Sequence, residues 1–154
     1  PPPPPPPPPP TPHFPTTTLF RSDRRLVEKW CREINYDKVL PILAEHEGGI
    51  IANATLHRQT SGWGKHVGEI RVTIATEVRQ RGLGFRMVEE LSSLARAAGL
   101  DKLCARAIAS QTDAITVFEK NGYSLVATLK NFVKDVHQDE YQDIAILVKD
   151  LSRE

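Results

Sequence analysis

The sequence predicts a mixed α/β fold in which helices pack on a sheet. Two observations predict this class: strand-like runs alternate along the chain with segments of helical spacing, and a long amphipathic segment lies between two such runs. The chain has 154 residues, of which 40% are hydrophobic and 25% are charged, so it can form one domain with its own core. The predicted order of elements is α-β-β-β-α-β-α-β-β.

One helix and three strands are predicted for the first half of this body. Apolar residues at helical spacing predict a helix over residues 22–34, with Ser22 as its N-cap. The Gly48-Gly49 pair separates two β-rich runs and predicts a hairpin, and Pro41 indicates that its first strand lies at an edge. The three strands are predicted over residues 39–44, 50–56 and 67–76.

The second half is predicted to contain the long helix, a shorter helix and three strands. The long helix covers residues 83–98, and Gly99 follows it as a C′ glycine. Ser110 and Asp113 have the spacing of a capping box at the start of the shorter helix, which stops at Gly122. The strands are predicted over residues 103–108, 123–129 and 144–148, with a charged loop over 130–141.

Composition narrows the class of protein. Of 13 prolines, 12 lie in the first fifteen residues, which predicts a proline-rich disordered tail over residues 1–18 before a domain over 19–154. The tail is either a stiff spacer or a ligand for an SH3- or WW-type groove. A net charge of +1 argues against a bulk nucleic-acid binder, and no apolar run is long enough to span a membrane. Two cysteines without a secretory signal predict reduced thiols and a cytoplasmic protein.

Residues 79–84 (RQRGLG) are the most informative segment, because they join a predicted strand to the long helix. Glycines let the backbone approach a ligand closely, and the first N–H groups of a helix lack internal acceptors. These donors lie at the positive end of the helix dipole, and Arg79, Arg81 and Arg86 add cationic charge. The segment therefore predicts a site for a phosphate-bearing ligand.

Two common phosphate-binding motifs do not fit this segment. Met87 occupies the position where a dinucleotide fingerprint needs a small residue, and Phe85-Arg86 replace the Lys-Ser/Thr of a Walker loop. The glycines alone leave open a tight turn without a ligand, or a generic nucleotide binder.

A pair of motifs carries a family resemblance. Arg79-x-x-Gly82-x-Gly84 after a strand resembles the pyrophosphate-binding motif of the GCN5-related N-acetyltransferase (GNAT) superfamily. About thirty residues downstream, residues 114–123 (AITVFEKNGY) resemble its second signature, a helix that ends in E-K-x-G-F/Y. The resemblance covers residues 19–151. It implies a mostly antiparallel sheet with one splayed parallel strand pair, in which the family's usual first strand is missing.

The same resemblance implies acetyl-CoA as co-substrate. No metal is predicted, because the five histidines show no metal-ligand spacing. Backbone N–H groups from about Gln80 to Phe85 would hold the CoA pyrophosphate. The main chain near Val72 to Ile74 would pair with the pantetheine arm and polarise the thioester carbonyl, so that an amine attacks directly in a ternary complex. The residues implied to bind the cofactor are Val72, Thr73, Ile74, Arg79, Gln80, Arg81, Gly82, Leu83, Gly84, Phe85, Arg86, Gln111 and Phe118.

Catalysis needs a base for the acceptor ammonium and a proton source for the CoA thiolate. Glu69 is the first candidate base, because several relatives carry a catalytic glutamate at the start of this strand, and His66 is the second. Relatives often place an acidic tyrosine where this sequence has Phe118. Tyr123 is then the candidate acid, although core packing is the alternative for it and water is an alternative proton source.

The resemblance implies an acetyl-CoA-dependent N-acetyltransferase that acts on a primary amine, carried by a small molecule or a peptide. Relatives often dimerise, which allows a homodimer here. The missing hydroxyl at Phe118 supports an alternative, a non-catalytic acyl-CoA-binding regulatory module.

Overall fold

The computed structural model describes residues 24–135 and 139–152. The elements follow the predicted order, with one turn of 3-10 helix (Thr76–Val78) added after the third strand. The helices are α1 (Arg24–Glu33), α2 (Leu83–Ala97) and α3 (Thr112–Lys120). The strands are β1 (Val39–His46), β2 (Gly49–Arg58), β3 (Val67–Ile74), β4 (Lys102–Ile108), β5 (Ser124–Asp135) and β6 (Glu140–Asp150).

Helix α1 belongs to a unit that ends at Ile34, and the sheet with α2 and α3 belongs to a second unit that begins at Asn35. The predicted cap Ser22 and the proline-rich residues 1–18 lie outside the described residues. Across the described ranges, the structure has no helix that is long and apolar enough to cross a membrane.

The six strands form one sheet in the order β1-β2-β3-β4-β6-β5. Every neighbouring pair is antiparallel except β3 and β4, which are parallel. Strand β1 lies at the edge, as Pro41 predicts. It is joined to β2 by a two-residue turn in which Glu47 and Gly48 have φ values of 50° and 76°, as a tight hairpin turn requires.

Pairing between β3 and β4 covers only part of each strand. It runs from Val67 opposite Lys102 to Ile70 opposite Ala105, and β3 then continues to Ile74 without pairing to β4. The two strands therefore part toward their carboxyl ends, and the predicted splayed parallel pair is confirmed.

Helices α2 and α3 cover one face of this sheet. Helix α2 packs against β2 and β3, and α3 packs against β4 and β5. Both helices end in a left-handed glycine, and the predicted role of Gly99 is confirmed: its N–H donates to Arg96 O at 3.0 Å, and the next N–H donates to Ala95 O at 3.1 Å. The largest fully buried side chains of this core are Leu56, Ile70, Leu91, Leu103, Leu147 and Val88.

The predicted charged loop over residues 130–141 is wrong, because β5 continues to Asp135 and β6 starts at Glu140. Polar side chains in this region pair across the two strands. Asp143 accepts hydrogen bonds from Lys130 Nζ at 2.7 Å and from the Asn131 backbone N–H at 2.8 Å. The charged residues of this segment therefore lie on a hairpin at the edge of the sheet, where they bond to each other across the two strands.

The predicted capping box at the start of α3 is also wrong. Gln111 is the N-cap, and no side chain caps the helix. The Gln111 carbonyl accepts from the N–H groups of Ala114 and Ile115 at 3.1 and 3.2 Å. The carboxylate of Asp113 instead accepts a hydrogen bond from Gln80, outside the helix.

Candidate active site

The glycine loop ends at the first residue of α2. Gly82 is the N-cap with φ of 80°, and no side chain caps the helix. The first helical hydrogen bond runs from the Arg86 N–H to Gly82 O at 3.2 Å, so the N–H groups of the first turn have no acceptor within the helix. These donors, at the positive end of a 15-residue helix, have the geometry that an anion site requires.

Two side chains hold this loop in place. Arg79 Nε donates to Ile74 O at the end of β3 (3.2 Å), and Gln80 Nε2 donates to Asp113 Oδ2 in the first turn of α3 (3.1 Å). Gln80 also has a positive φ of 60°, which an L side chain rarely adopts. These two bonds fix the loop between the end of β3 and the first turn of α3.

Close packing brings the first turn of α2 against the end of β3. A Cβ added at Gly84 would lie 3.0 Å from Ile74 Cδ1 and 3.7 Å from Val117 Cγ1. Only glycine fits this contact without displacing a neighbour. The N–H groups of this first turn therefore adjoin residues 72–74, the part of β3 that has separated from β4.

The remaining residues predicted to bind the cofactor lie around this turn. Leu83 and Phe85 are half-buried, Arg81 is exposed, and Arg86 forms an exposed ion pair with Glu89 at 3.2 Å. The second sequence motif, residues 114–123, is joined to the same turn by Asn121. Its Nδ2 donates to Val117 O at 2.9 Å and to Phe85 O at 3.4 Å. The two sequence motifs thus meet in the structure.

On the sheet, an acidic residue and two arginines form a cluster. Glu69 Oε1 accepts from Arg71 Nε at 3.1 Å, and its Oε2 accepts from an Arg106 terminal nitrogen at 2.7 Å. Burial alone would raise the pKa of Glu69, but the hydrogen bonds from Arg106 and Arg71 outweigh it, and the pKa is lowered. The cluster opens on a cavity of about 260 Å³ lined by Glu69, Ile70, Arg71, Arg106, Phe132, Val133 and Ile144.

Sequence reasoning missed His57 and the two arginines of this cluster. His57 lies directly opposite Glu69 in the β2–β3 register, and its Nε2 lies 3.0 Å from Thr55 Oγ1. Burial and the neighbouring Arg71 lower the pKa of His57 below its ordinary value of 6.5. The one available signal was the alternation of polar and apolar residues in β3 and β4, which puts Glu69, Arg71 and Arg106 on one face.

The two other candidate catalytic residues lie elsewhere. His66 is exposed before β3, where its carbonyl accepts from the N–H groups of Asp101 and Lys102. Tyr123 is buried, with its hydroxyl 3.5 Å from Ser92 Oγ of α2, and burial raises its pKa. Its ring packs edge-on against Phe118 at 5.3 Å, which favours the packing interpretation over an acid role.

Comparisons with known proteins identify the family and the fold. The sequence model of the acetyltransferase (GNAT) family matches residues 8–123. A ribosomal-protein-alanine N-acetyltransferase from Brucella melitensis superposes with a TM-score of 0.73 at 24% identity, over 84% of this chain and 79% of its own.

The protein yncA from Salmonella typhimurium, solved with its cofactor acetyl-CoA, gives a TM-score of 0.70 at 19% identity, over 84% of this chain and 73% of its own. An N-acetyltransferase from Staphylococcus aureus gives 0.69 at 21% identity, over 82% and 74%. A comparison with curated protein sequences finds no match. The family model covers most of the sequence, so the chain belongs to the acetyltransferase (GNAT) family of acetyl-CoA-dependent acyltransferases.

Proposed function

We propose that this chain transfers the acetyl group of acetyl-CoA to a primary amine, which attacks directly in a ternary complex. The parting of β3 and β4 after Ile70 and Ala105 supports this most strongly. An anion site lies at the carboxyl end of the parted strands, and the cavity beside Glu69 lies at their junction. Acetyl-CoA between the strands would have its pyrophosphate at the carboxyl end of the strands. Its thioester would then lie beside the cavity, where an acceptor would bind.

In this proposal the backbone around Gly82 and Gly84 binds the CoA pyrophosphate, and Arg79 and Gln80 keep the loop in that shape. Gln111, the N-cap of α3, and Phe118, within α3, are proposed to contact the cofactor from that helix. The pantetheine arm pairs with residues 72–74 of β3, on the side that β4 has left. An N–H of this segment stabilises the oxyanion that forms as the amine attacks the carbonyl carbon.

Proton transfer requires a base near the acceptor. Glu69 is the base that we propose, because it is an anionic carboxylate in the wall of the cavity. Its two arginine partners make it a weak base, since a group with a lowered pKa holds a proton poorly. His57, on the neighbouring strand, is therefore the competing candidate: its lowered pKa keeps the imidazole neutral at pH 7.

The CoA thiolate is proposed to take its proton from water. Phe118 has no proton to donate, and the raised pKa of buried Tyr123 makes that hydroxyl a reluctant donor. A thiolate is a fair leaving group, so the step does not depend on a protein acid. The acid role of Tyr123 remains a prediction with its own test.

A second candidate function is a non-catalytic acyl-CoA-binding module. The observation that favours it is Phe118, which is only 7% exposed and packs on Tyr123 where relatives often have an acid. The two functions share the CoA site and differ in turnover.

One experiment separates them. The protein is incubated with acetyl-CoA and a panel of amines, peptide N-termini and lysine, while released thiol is measured, and CoA binding is measured by calorimetry. Amine-dependent thiol release supports the transferase. Tight CoA binding without turnover on any amine supports the module, and absence of CoA binding contradicts both.

The domain boundaries, the cellular location and the oligomeric state are proposed from the sequence. We propose a domain over residues 19–154 that works in the cytoplasm without its proline-rich tail, with a homodimer as the form to test. Deletion of residues 1–18 is expected to leave turnover unchanged, and lost turnover would give the tail a role in catalysis.

A further inference from the structure

Arg71 and Arg106 occupy matching places at the junction of the parted strands. Ile70 and Ala105 are the last paired residues of β3 and β4, and the two arginines are the next residue on each strand. Both guanidinium groups bind the same carboxylate, that of Glu69. The acceptor cavity therefore has cationic groups on both sides of the point where a thioester would end.

The charge of this cluster does not balance. Among the described residues that line the cavity, one carboxylate faces two guanidinium groups, which leaves one positive charge in excess. Arg71 and Arg106 are 62% and 45% exposed, so N–H donors that Glu69 does not use remain accessible from the cavity. A guanidinium presents its donors in a planar fork that matches a carboxylate, and such charge-assisted bonds are among the stronger ones in proteins.

The rest of the cavity wall is apolar. Phe132 and Val133 come from β5, at the register shift between Leu129 and Val133, and Ile144 comes from β6. The cavity thus offers an anionic group, a cationic pair and an apolar side within about 260 Å³. An amine acceptor with a carboxylate and an apolar side chain complements all three.

We infer that the acceptor is an amine with a carboxylate next to it, as in an α-amino acid with an apolar side chain. Arg71 and Arg106 bind the carboxylate, Glu69 holds the ammonium, and the apolar side chain lies against Phe132 and Ile144. This inference rests on the proposed function and names its substrate class. In the reaction, the ammonium gives one proton to the base, and the neutral amine attacks the acetyl carbonyl carbon. The nitrogen loses a second proton to water as the amide forms. The C–S bond breaks, and CoA leaves as a thiol once its sulfur is protonated.

A matched pair of acceptors tests the inference. L-phenylalanine and 2-phenylethylamine differ only in the carboxylate, and kcat/KM is measured for each with saturating acetyl-CoA. We expect at least about a tenfold preference for the acid, because it alone can bond to the guanidinium forks. A preference for the amine without a carboxylate, or equal rates, would overturn the inference while leaving the transferase intact.

Variants assign the preference to the two arginines. Arg71→Ala and Arg106→Ala should each lower the ratio of kcat/KM for L-phenylalanine to kcat/KM for 2-phenylethylamine by about tenfold or more. The ratio is the readout because any change in Glu69 affects both acceptors, whereas only the acid loses a bond to the guanidinium fork. Lysine at either position should recover part of the loss, because the charge is kept and the fork is not. Arg96→Ala is the control, since this exposed arginine lies on α2, against the other face of the sheet. Equal losses for both acceptors would contradict the assignment.

A binding measurement covers the case in which neither acceptor turns over. The products N-acetyl-L-phenylalanine and N-(2-phenylethyl)acetamide are titrated into protein saturated with CoA. Tighter binding of the acid, lost in Arg106→Ala, supports the carboxylate site even if the transferase proposal fails. Binding of the acid that is no tighter than that of the amide overturns the carboxylate site.

Discussion

Gln80 Nε2 donates a hydrogen bond to Asp113 Oδ2 at 3.1 Å, so the glycine loop before α2 is tied to the first turn of α3. The bond joins the two segments that carry the family motifs. Because both flank the proposed pyrophosphate site, the bond should keep the loop N–H groups aimed at the ligand.

We expect Gln80→Ala to raise KM for acetyl-CoA about threefold to tenfold, since a typical hydrogen bond contributes roughly 1 kcal/mol and this one is exposed. Asp113→Ala should have the same effect, with kcat unchanged in both. The double variant should be no worse than either single one, because both remove the same bond. Additive effects of the two substitutions would show that the bond does not order the loop.

Gly82→Asp is expected to abolish measurable CoA binding and leave the protein folded. Apart from its chain neighbours, no atom in the described part of the chain lies within 4 Å of an added Cβ at this position, so the new carboxylate would occupy the ligand's space and repel its phosphates. The positive φ of 80° should cost about 1–2 kcal/mol of stability.

Gly99→Asp is the matched control for that substitution. Gly99 has φ of 74° and equally open space around its Cβ position, but it lies at the other end of α2, about 25 Å away. It should lose similar stability in thermal unfolding and keep CoA affinity in calorimetry. Equal loss of affinity in both variants would show that destabilisation, rather than the anion site, explains the effect.

Much of the fold could be predicted because local pattern and tertiary environment agree. Helix α2 combines an apolar stripe with a C′ glycine, and Gly99 has the predicted left-handed conformation. Strands over 123–129 and 144–148 could be predicted, but the outer part of the hairpin of β5 and β6, over residues 130–141, could not be, since most of its residues face water. Polar residues such as Lys130 and Asp143, which bond across that hairpin, resemble a loop when only the sequence is considered.

The candidate site also has one part that could be predicted from the sequence and one part that could not. The glycine loop is local in sequence, so its residues and its position before α2 could be predicted. The arginine cluster depends on the register between parallel strands: Glu69 lies opposite Cys104, which brings Arg106 within 2.7 Å of a carboxylate 37 residues earlier. A sequence pattern shows which residues share a face and gives no register between strands.

The base can be identified from pH profiles. Glu69→Gln is expected to lower kcat about a hundredfold if Glu69 takes the proton. Because its pKa is lowered from 4.5, the wild-type kcat should then hold down to about that pH before it falls. A fall between pH 4.5 and 6.5 that disappears in His57→Gln would assign the base to His57, whose pKa is lowered from 6.5.

The same carboxylate should make stability depend on pH. A lowered pKa means that the folded state favours the charged form of Glu69. Its contribution is therefore present above pH 4.5 and is lost as the pH falls through the lower folded-state value. The free energy of unfolding of Glu69→Gln should lie below that of the wild type at pH 7, and the difference should shrink in urea titrations under pH 4.5. A difference independent of pH would mean that the ion pairs do not stabilise the fold.

Phe118→Tyr and Tyr123→Phe together test how the CoA thiolate is protonated. Tyr123→Phe removes a buried hydroxyl whose partner, Ser92 Oγ, is 3.5 Å away, so turnover should stay within about twofold and stability should change by less than about 1 kcal/mol. Phe118→Tyr restores the hydroxyl that relatives often carry, and kcat should rise if protonation limits the rate. Stopped-flow measurement of thiol release at several pH values checks both variants. If Tyr123→Phe lowers kcat by tenfold or more while its melting temperature is unchanged, Tyr123 is the acid and the water route is wrong.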